Sequence, residues 1–239
     1  MDKKKFTAII LSAGTGSRMK SNMPKQYMEL LGKPVIYYSI KAFEDSPVDE
    51  IVIVCSADYI EYFRHSIIEK YGFEKVKAVV QGGKERYNSV YEGLKAANGT
   101  DYVLIHDGAR PLVDNEIIVR SMHMVEKEKA CVAGMPVKDT IKVSDEFGYS
   151  ANTPDRKSLW QIQTPQCFEY DLLAQSYDKL FSDMSYGKSV PVITDDAMIV
   201  EYGSDTKVKL IEGSYENIKV TTPEDMGIAE LFLKKREKM

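Results

Sequence analysis

The chain has 239 residues, of which 32 are lysine or arginine and 36 are aspartate or glutamate. This length suits one large α/β domain, because open α/β sheets often reach roughly 200–250 residues without dividing. The near balance of charge argues against nucleic acid and membrane surfaces as partners, since both usually recruit a cationic excess. The three cysteines are widely spaced in apolar contexts, which predicts reduced core thiols and neither disulfides nor zinc ligands.

The N-terminus begins with a basic stretch and a short apolar run that stops at Gly14. That run is too short for the apolar region of a signal peptide and for a membrane-spanning helix. We therefore expect a cytoplasmic protein.

Strand-like and helix-like patterns alternate along the first half of the chain. The expected strands occupy residues 8–11, 51–55, 76–80, 102–106 and 131–136. The expected helices occupy residues 34–44, 57–71, 85–97 and 115–129. This alternation predicts an α/β fold with a Rossmann-like, mostly parallel sheet that is covered by helices on both faces. We assign residues 1–239 to a single domain.

Three polar clusters each follow one of these strands, at residues 14–18, 81–86 and 107–110. Ligands of such sheets bind beyond the carboxyl ends of the strands. The three clusters are therefore expected to form one site.

The first cluster combines glycines with cations. Gly14 and Gly16 allow a ligand to approach the backbone closely, so that N–H groups can bind an anion. Arg18 and Lys25 add charges that can neutralise phosphoryl oxygens. The spacing matches neither the P-loop nor the dinucleotide-binding fingerprint. It predicts a triphosphate site of another kind.

The other two clusters leave alternatives open. Gly83 and Ser89 stand at the start of a helix, where they could read the edge of a nucleobase or form an ordinary strand-to-helix turn. Asp107 could face a ribose hydroxyl or a magnesium ion carried by phosphates, and Arg110 could equally be its structural ion-pair partner. Neither cluster selects a ligand by itself.

A different pattern begins after Pro136. Residues 138–143 alternate like an exposed strand, and residues 144–148 supply turn residues. A hairpin with so little apolar content is poorly stabilised alone. We therefore predict that residues 137–160 form a protruding β-hairpin arm that packs against a second subunit in a homodimer.

The last third of the chain returns to regular patterns. A helix is expected near residues 170–181, a strand near residues 208–211 and a helix that begins at Thr222. Thr194 is expected to cap a helix whose first turn contains two aspartates. Lys219 is expected on a strand, where a lysine that points away from the core is usually just solvated.

The distinctive motifs stand at residues 11–19, 24–27, 82–86, 106–111, 136–140, 160, 164–166, 194–197 and 217–221. In this order, over nearly the whole chain, they resemble the 2-C-methyl-D-erythritol 4-phosphate cytidylyltransferase family of the sugar-nucleotidyltransferase superfamily. The resemblance implies an enzyme that joins CTP to a sugar-alcohol phosphate, requires magnesium and releases pyrophosphate. Two positions depart from the family pattern, because Lys84 replaces a common acidic residue and Gly108 replaces a common alanine.

The resemblance implies roles for specific residues in binding the nucleotide. It implies contacts to the triphosphate from Ala13, Gly14, Gly16, Arg18 and Lys25. It implies contacts to cytosine, and to the ribose and magnesium region, from Gly83, Ser89, Asp107 and Gly108. Of these residues, Asp107 is the candidate magnesium ligand, although the metal is expected to be bound mainly by phosphate.

For the acceptor, the resemblance implies that Lys219 orients the reacting phosphates. It also implies that Thr140 and Arg156, on the arm, hold the acceptor phosphate in the partner's site. The catalytic groups would then all be cations, namely Arg18, Lys25, Arg156 and Lys219. A phosphate monoester with a second pKa of ~6 is mostly dianionic at neutral pH, so the acceptor needs no general base.

Two other functions fit parts of the same pattern. A ribitol-5-phosphate cytidylyltransferase would share the fold, the loop and the reaction and differ in its acceptor. A nucleotide-binding regulator would keep the loop without turnover, although the retention of every proposed cation argues against it. Product formation with each acceptor distinguishes the three functions.

Overall fold

The computed structural model describes residues 3–14 and 23–237. Gly16 and Arg18 of the expected triphosphate loop lie outside the described residues. The strands, in chain order, are β1 (Phe6–Ser12), β2 (Glu29–Leu30), β3 (Lys33–Pro34), β4 (Glu50–Cys55), β5 (Val76–Gln81), β6 (Tyr102–Asp107), β7 (Ala130–Pro136), β8 (Val143–Ser144), β9 (Ser150–Asn152), β10 (Trp160–Glu169) and β11 (Lys209–Glu212).

Seven of these strands form one central sheet, in the order β11-β7-β10-β6-β1-β4-β5. Among the described strands of this sheet, only β10 runs antiparallel to its neighbours. The remaining four strands form two separate pairs, β2 with β3 and β8 with β9. The expected α/β class with a mostly parallel sheet is confirmed, whereas β10 was not predicted.

Helices cover both faces of the sheet. They are α1 (Val35–Glu44), α2 (Ile60–Tyr62), α3 (Arg86–Ala96), α4 (Asn115–Glu128), α5 (Tyr170–Ser185), α6 (Asp196–Gly203) and α7 (Pro223–Arg236). A π-helical segment at Phe63–Glu69 continues α2. No helix in the described ranges has both the length and the apolar composition that crossing a membrane requires.

Two apolar cores lie on opposite faces of the sheet. Neighbouring residues of β1 enter different cores: Ile10 lies in the core that contains Ile40 of α1, and Ile9 lies in the core that contains Leu94 of α3. All four side chains are buried. Alternation of this kind is what a strand covered on both faces requires, and it holds the carboxyl end of β1 rigidly in the middle of the sheet.

The segment at residues 137–160 contains the short antiparallel pair of β8 and β9. The pair is shorter than expected, since residues 138–142 form no strand and pairing begins at Val143. Residues 138–153 are all exposed, and the large apolar side chains of Phe147 and Tyr149 are 76% and 73% exposed. This segment therefore has no apolar core of its own.

Two local expectations near the C-terminal half were wrong. The N-cap of α6 is Asp195, not Thr194, because the Asp195 carboxylate accepts the Met198 N–H at 3.0 Å. Lys219 does not lie on a strand: residues 217–220 are extended without strand pairing. The Val220 N–H bonds instead to the carbonyl of Ala109, which belongs to a loop and not to a strand.

Candidate active site

A cavity of about 300 Å³ opens at the carboxyl edge of the sheet. Its described wall comes from the loops after β1, β5 and β6 and from the segment before α7. The ionisable residues in this wall are Lys25, Lys84, Glu85, Arg86, Asp107 and Lys219. Because cations outnumber anions among these described residues, the cavity suits an anionic ligand.

The predicted site residues that the structure describes divide into two groups. Those in the cavity wall are Ala13, Gly14, Lys25, Gly83, Ser89, Asp107 and Lys219. Those placed elsewhere by the structure are Gly108, Thr140 and Arg156. The three loops that the sequence analysis expected to meet therefore do meet in their described parts.

The 3₁₀ turn after the first loop fixes the start of that loop. Its Gln26 side chain is buried and donates to the carbonyls of Ser12 and Gly14, each at 2.8 Å. The Tyr27 hydroxyl donates to Ser12 O at 3.0 Å, and its ring stacks on Tyr59 with centroids 4.2 Å apart. These contacts hold the backbone at the end of β1 and keep Lys25 of the same turn beside the cavity.

Ser89 shapes the second loop from within α3. Its hydroxyl accepts the Gly83 N–H at 3.1 Å and donates to Glu85 O at 3.2 Å. A Cβ on Gly82 would lie 2.8 Å from the Ser89 hydroxyl and 2.7 Å from the Cβ of Ala13, so glycine is required there for the first two loops to approach each other. The loop is thus preformed where a nucleobase was expected.

Asp107, at the end of β6, is surrounded by three cations. Its Oδ2 lies 2.8 Å from the Lys219 ammonium, and its carboxylate lies 3.6 Å from both Arg86 and Arg110. Burial disfavours the charged carboxylate, but the charges of Arg86, Lys219 and Arg110 outweigh it and hold the pKa of Asp107 well below its usual range. Asp107 is therefore an anion at any physiological pH, and Arg110 is one of its ion-pair partners.

Arg86 lines the cavity, where it was expected only as a member of the cluster at residues 81–86 and without a role of its own. Its Nη2 lies 2.8 Å from Asp196 Oδ2, and Asp196 is completely buried at the start of α6. Burial alone would lower the pKa of Arg86, but the charges of Asp196 and Asp107 raise it above its ordinary value. Arg86 and Asp196 lie in the distinctive motifs at residues 82–86 and 194–197, and these motifs were the sequence signal that could have pointed to them. That the two side chains form an ion pair is visible only in the fold.

Two residues beside Asp107 support the loop from behind. Gly108 is buried, and a Cβ there would clash with Ile36 and lie 2.8 Å from Leu11 O. His106 is also buried and contacts Arg110 O at 3.2 Å and the Thr164 hydroxyl at 2.9 Å. Burial lowers the pKa of His106 to about 4, so the imidazole is neutral at pH 7 and plays no acid–base part in the cavity.

Thr140 and Arg156 lie on the exposed segment at residues 137–160 and not in the cavity of their own chain. Arg156 donates to the carbonyl of Lys138 at 2.8 Å, which joins the two ends of this segment. The described part of the chain contains no cluster of three or more histidine, cysteine, aspartate or glutamate side chains able to hold a metal.

A mostly parallel α/β sheet with a cationic cavity at its carboxyl edge is typical of proteins that bind nucleotides. A family model described as 2-C-methyl-D-erythritol 4-phosphate cytidylyltransferase matches residues 6–235. The chain belongs to this family and is therefore a nucleotidyltransferase, which confirms the family and enzyme class expected from the motifs.

Relatives of this name are similar over their full length. The protein from Lachnospira eligens is 52% identical over 229 residues, which cover 95% of this chain and 99% of the relative. The protein from Lachnoclostridium phytofermentans is 50% identical over 234 residues, covering 98% of each. A crystal structure of 4-diphosphocytidyl-2C-methyl-D-erythritol synthase from Anaerococcus prevotii is 34% identical, with a TM-score of 0.83 over 97% of this chain and 96% of that one.

Proposed function

We propose that the chain transfers the cytidylyl group of CTP to 2-C-methyl-D-erythritol 4-phosphate and releases pyrophosphate, in the non-mevalonate route to isoprenoid precursors. The observation that carries this proposal is the convergence of Lys25, Arg86 and Lys219 in one cavity of a chain that matches the family from residue 6 to residue 235. Three cations at fixed points suit a polyanionic nucleotide better than a neutral ligand.

The reaction needs charge neutralisation more than proton transfer. An oxygen of the acceptor phosphate forms a bond to the α-phosphorus of CTP, and the bond from that phosphorus to the bridging oxygen breaks. Pyrophosphate leaves with the electron pair. Lys25 and Lys219, with Arg18, are proposed to stabilise the charge that develops on the phosphoryl oxygens.

The nucleotide is proposed to lie across the preformed loops. Its triphosphate would contact the backbone of Ala13, Gly14 and Gly16, and its cytosine would lie against Gly83 and Ser89. The 2.8 Å and 2.7 Å approaches that exclude a side chain at Gly82 support a tight, shaped loop at this point. Gly108 is proposed to act by letting the ribose-side loop pack against β1, because it is buried behind the wall.

Magnesium is proposed as the metal, carried chiefly by the phosphates. Mg²⁺ commonly binds one or two carboxylates together with substrate phosphates and keeps several waters. Asp107 is an ionised carboxylate in the described wall, and because Lys219, Arg86 and Arg110 already surround it, the phosphates would supply most of the ligands of the ion. When bound, the ion would neutralise charge on the triphosphate.

The acceptor end of the site is proposed to come from a second copy of the chain. Thr140 and Arg156 lie on the exposed segment at 137–160, whose apolar Phe147 and Tyr149 have no partner core in the described chain. Pairing of two such segments in a homodimer would bury these side chains and bring Arg156 to the partner's acceptor phosphate. We also place the enzyme in the cytoplasm, where CTP is available.

An acceptor panel tests the function. Purified protein is incubated with CTP, Mg²⁺ and one sugar-alcohol phosphate at a time, and pyrophosphate release is measured. Release should be fastest with 2-C-methyl-D-erythritol 4-phosphate. A faster reaction with ribitol 5-phosphate would reassign the acceptor, and CTP binding without pyrophosphate release from any acceptor would indicate a regulator.

A further inference from the structure

Two motifs that have no part in the proposed chemistry meet behind the cavity. Gln166 of β10 accepts the N–H groups of Asp196 and Ala197 through Oε1, at 2.9 and 3.2 Å. Its Nε2 donates to Asp195 Oδ2 at 3.2 Å. One buried glutamine therefore fixes the first turn of α6 against the central sheet.

This first turn aims the carboxylate of Asp196 at Arg86. Asp196 Oδ2 lies 2.8 Å from Arg86 Nη2, and Asp196 Oδ1 accepts the hydroxyl of Tyr177 at 3.1 Å. Asp196 and Tyr177 are both completely buried, whereas Arg86 reaches the cavity wall. Asp196 itself is not among the described residues that line the cavity, and Arg86 is the cavity residue with which it pairs.

Arg86 stands between two carboxylates at unequal distances. It is 2.8 Å from Asp196 and 3.6 Å from Asp107, while Asp107 is 2.8 Å from Lys219. Arg86 Nε faces Asp107 Oδ1, whereas Lys219 and Arg110 face Asp107 Oδ2, so Arg86 and Lys219 contact different oxygens of this carboxylate. Without the Asp196 charge, the guanidinium of Arg86 would lose the nearer of its two carboxylate partners and with it a defined position beside Asp107.

We propose that Asp196 is a positioning residue that holds the guanidinium of Arg86 in the cavity wall beside Asp107. The proposal rests on the proposed function in so far as turnover is its main measurement. The proposed positioning of Arg86 gives a structural role to the motifs at 164–166 and 194–197, which contain Gln166 and Asp196.

The test is a double-mutant cycle with Asp196→Asn, Arg86→Met and both changes together. We expect Asp196→Asn to lower kcat about tenfold or more, as displacement of a reacting group does, and to raise the Kd for CTP less than kcat falls. If Asp196 acts through Arg86, the double variant should match Arg86→Met within about twofold in both kcat and Kd. A double variant whose losses multiply, or an Asp196→Asn enzyme with normal kcat, would overturn the proposal.

The melting temperature of each variant is measured beside its kcat, so that a loss of stability is not mistaken for a loss of turnover. Arg86→Met leaves a buried carboxylate without its cation, so that variant should have the lowest melting temperature and the double variant should regain part of the loss. Asp205→Asn is the control: it removes the same charge at an exposed position after α6, so kcat should stay normal.

A milder pair of variants covers the case in which Arg86→Met does not fold. Tyr177→Phe removes only the hydroxyl that bonds Asp196 and should lower kcat severalfold, whereas Tyr91→Phe removes a hydroxyl that bonds the exposed Asp178 and should not. Equal kcat in both variants would count against the proposal. Turnover of the wild type is measured first. If it is absent, the proposed function is rejected, and the coupling between Asp196 and Arg86 is then measured from the Kd for CTP of the same variants.

Discussion

The Lys219 ammonium lies 2.8 Å from Asp107 Oδ2, which joins the last segment of the chain to the end of β6. The segment that carries Lys219 is fixed beside it, since Asn217 donates to Thr164 O at 2.9 Å and accepts from Arg110 at 2.9 Å. The ammonium therefore has a defined position before substrate binds. A cation placed in advance needs little reorganisation when charge develops in the transition state.

Replacing Lys219 with methionine should lower kcat by ~10²-fold or more, as the loss of one preorganised contact to a transition state typically does. Methionine keeps much of the aliphatic stem, so the change removes mainly the charge. Steady-state pyrophosphate release measures kcat, and the melting temperature confirms folding. Lys209→Met, on the exposed face of β11, is the control and should have normal kcat. A folded Lys219→Met enzyme with near-normal kcat would remove Lys219 from the proposed mechanism.

Lys25→Ala should also lower kcat by ~10²-fold or more, because Lys25 is proposed to meet the charge on the phosphoryl oxygens. The turn that carries Lys25 is held by hydrogen bonds of Gln26 and Tyr27, so the loop should keep its shape. Lys77→Ala, on β5 outside the cavity wall, is a matched control. Loss of CTP affinity with unchanged kcat would instead assign Lys25 to binding alone.

The stability of the protein should fall as the pH drops from about 6.5 to about 4, because burial lowers the pKa of His106 to about 4. Over this interval the unfolded chain binds a proton at His106 that the folded chain excludes. The free energy of unfolding therefore decreases as the pH falls. The lowered pKa of His106 corresponds to a loss of about 3 kcal/mol in the free energy of unfolding. The pKa of Asp107 is held low, so its contribution to stability is lost only at pH values below the usual pKa range of a carboxyl.

Urea unfolding of the wild type and of His106→Asn, measured between pH 7.5 and 4, checks this prediction. The variant should be less stable at pH 7 but should lose less stability on acidification. His123→Asn, an exposed substitution on α4, controls for the loss of an imidazole. Parallel pH profiles for wild type and His106→Asn would show that another group causes the acid sensitivity.

The sequence predicted the parallel strands because each is an apolar run between turn residues, and it predicted the meeting of three loops because the carboxyl ends of parallel strands share one edge. It missed β10, whose residues include Gln163, Thr164 and Gln166. These polar side chains suggest exposure, yet all three are buried with hydrogen-bond partners that only the fold supplies. The ion pair of Arg86 and Asp196 could not be predicted either, because only the fold brings these two residues together.

Arg156→Ala should raise the KM for the acceptor far more than the KM for CTP, because Arg156 is proposed to bind only the acceptor phosphate. The residue is exposed and lies outside the cavity of its own chain, so its loss should not disturb the nucleotide loops. Initial rates with each substrate varied in turn give both constants. Lys157→Ala, the neighbouring change on the same 3₁₀ turn, should leave both constants normal. A selective rise in the KM for CTP would reassign Arg156.

Mixing Lys25→Ala protein with Arg156→Ala protein should restore activity if the two subunits share each site. In a mixed dimer, one site combines both lesions and the other has an intact Lys25 from one chain and an intact Arg156 from its partner. If subunits exchange at random, half of the dimers are mixed, and at an acceptor concentration well below the KM of the Arg156→Ala protein the mixture should reach about a quarter of wild-type activity. Each variant alone, assayed at the same total concentration, gives the baseline. Activity that stays at the average of the two baselines, with subunit exchange verified, would show that Arg156 serves its own chain.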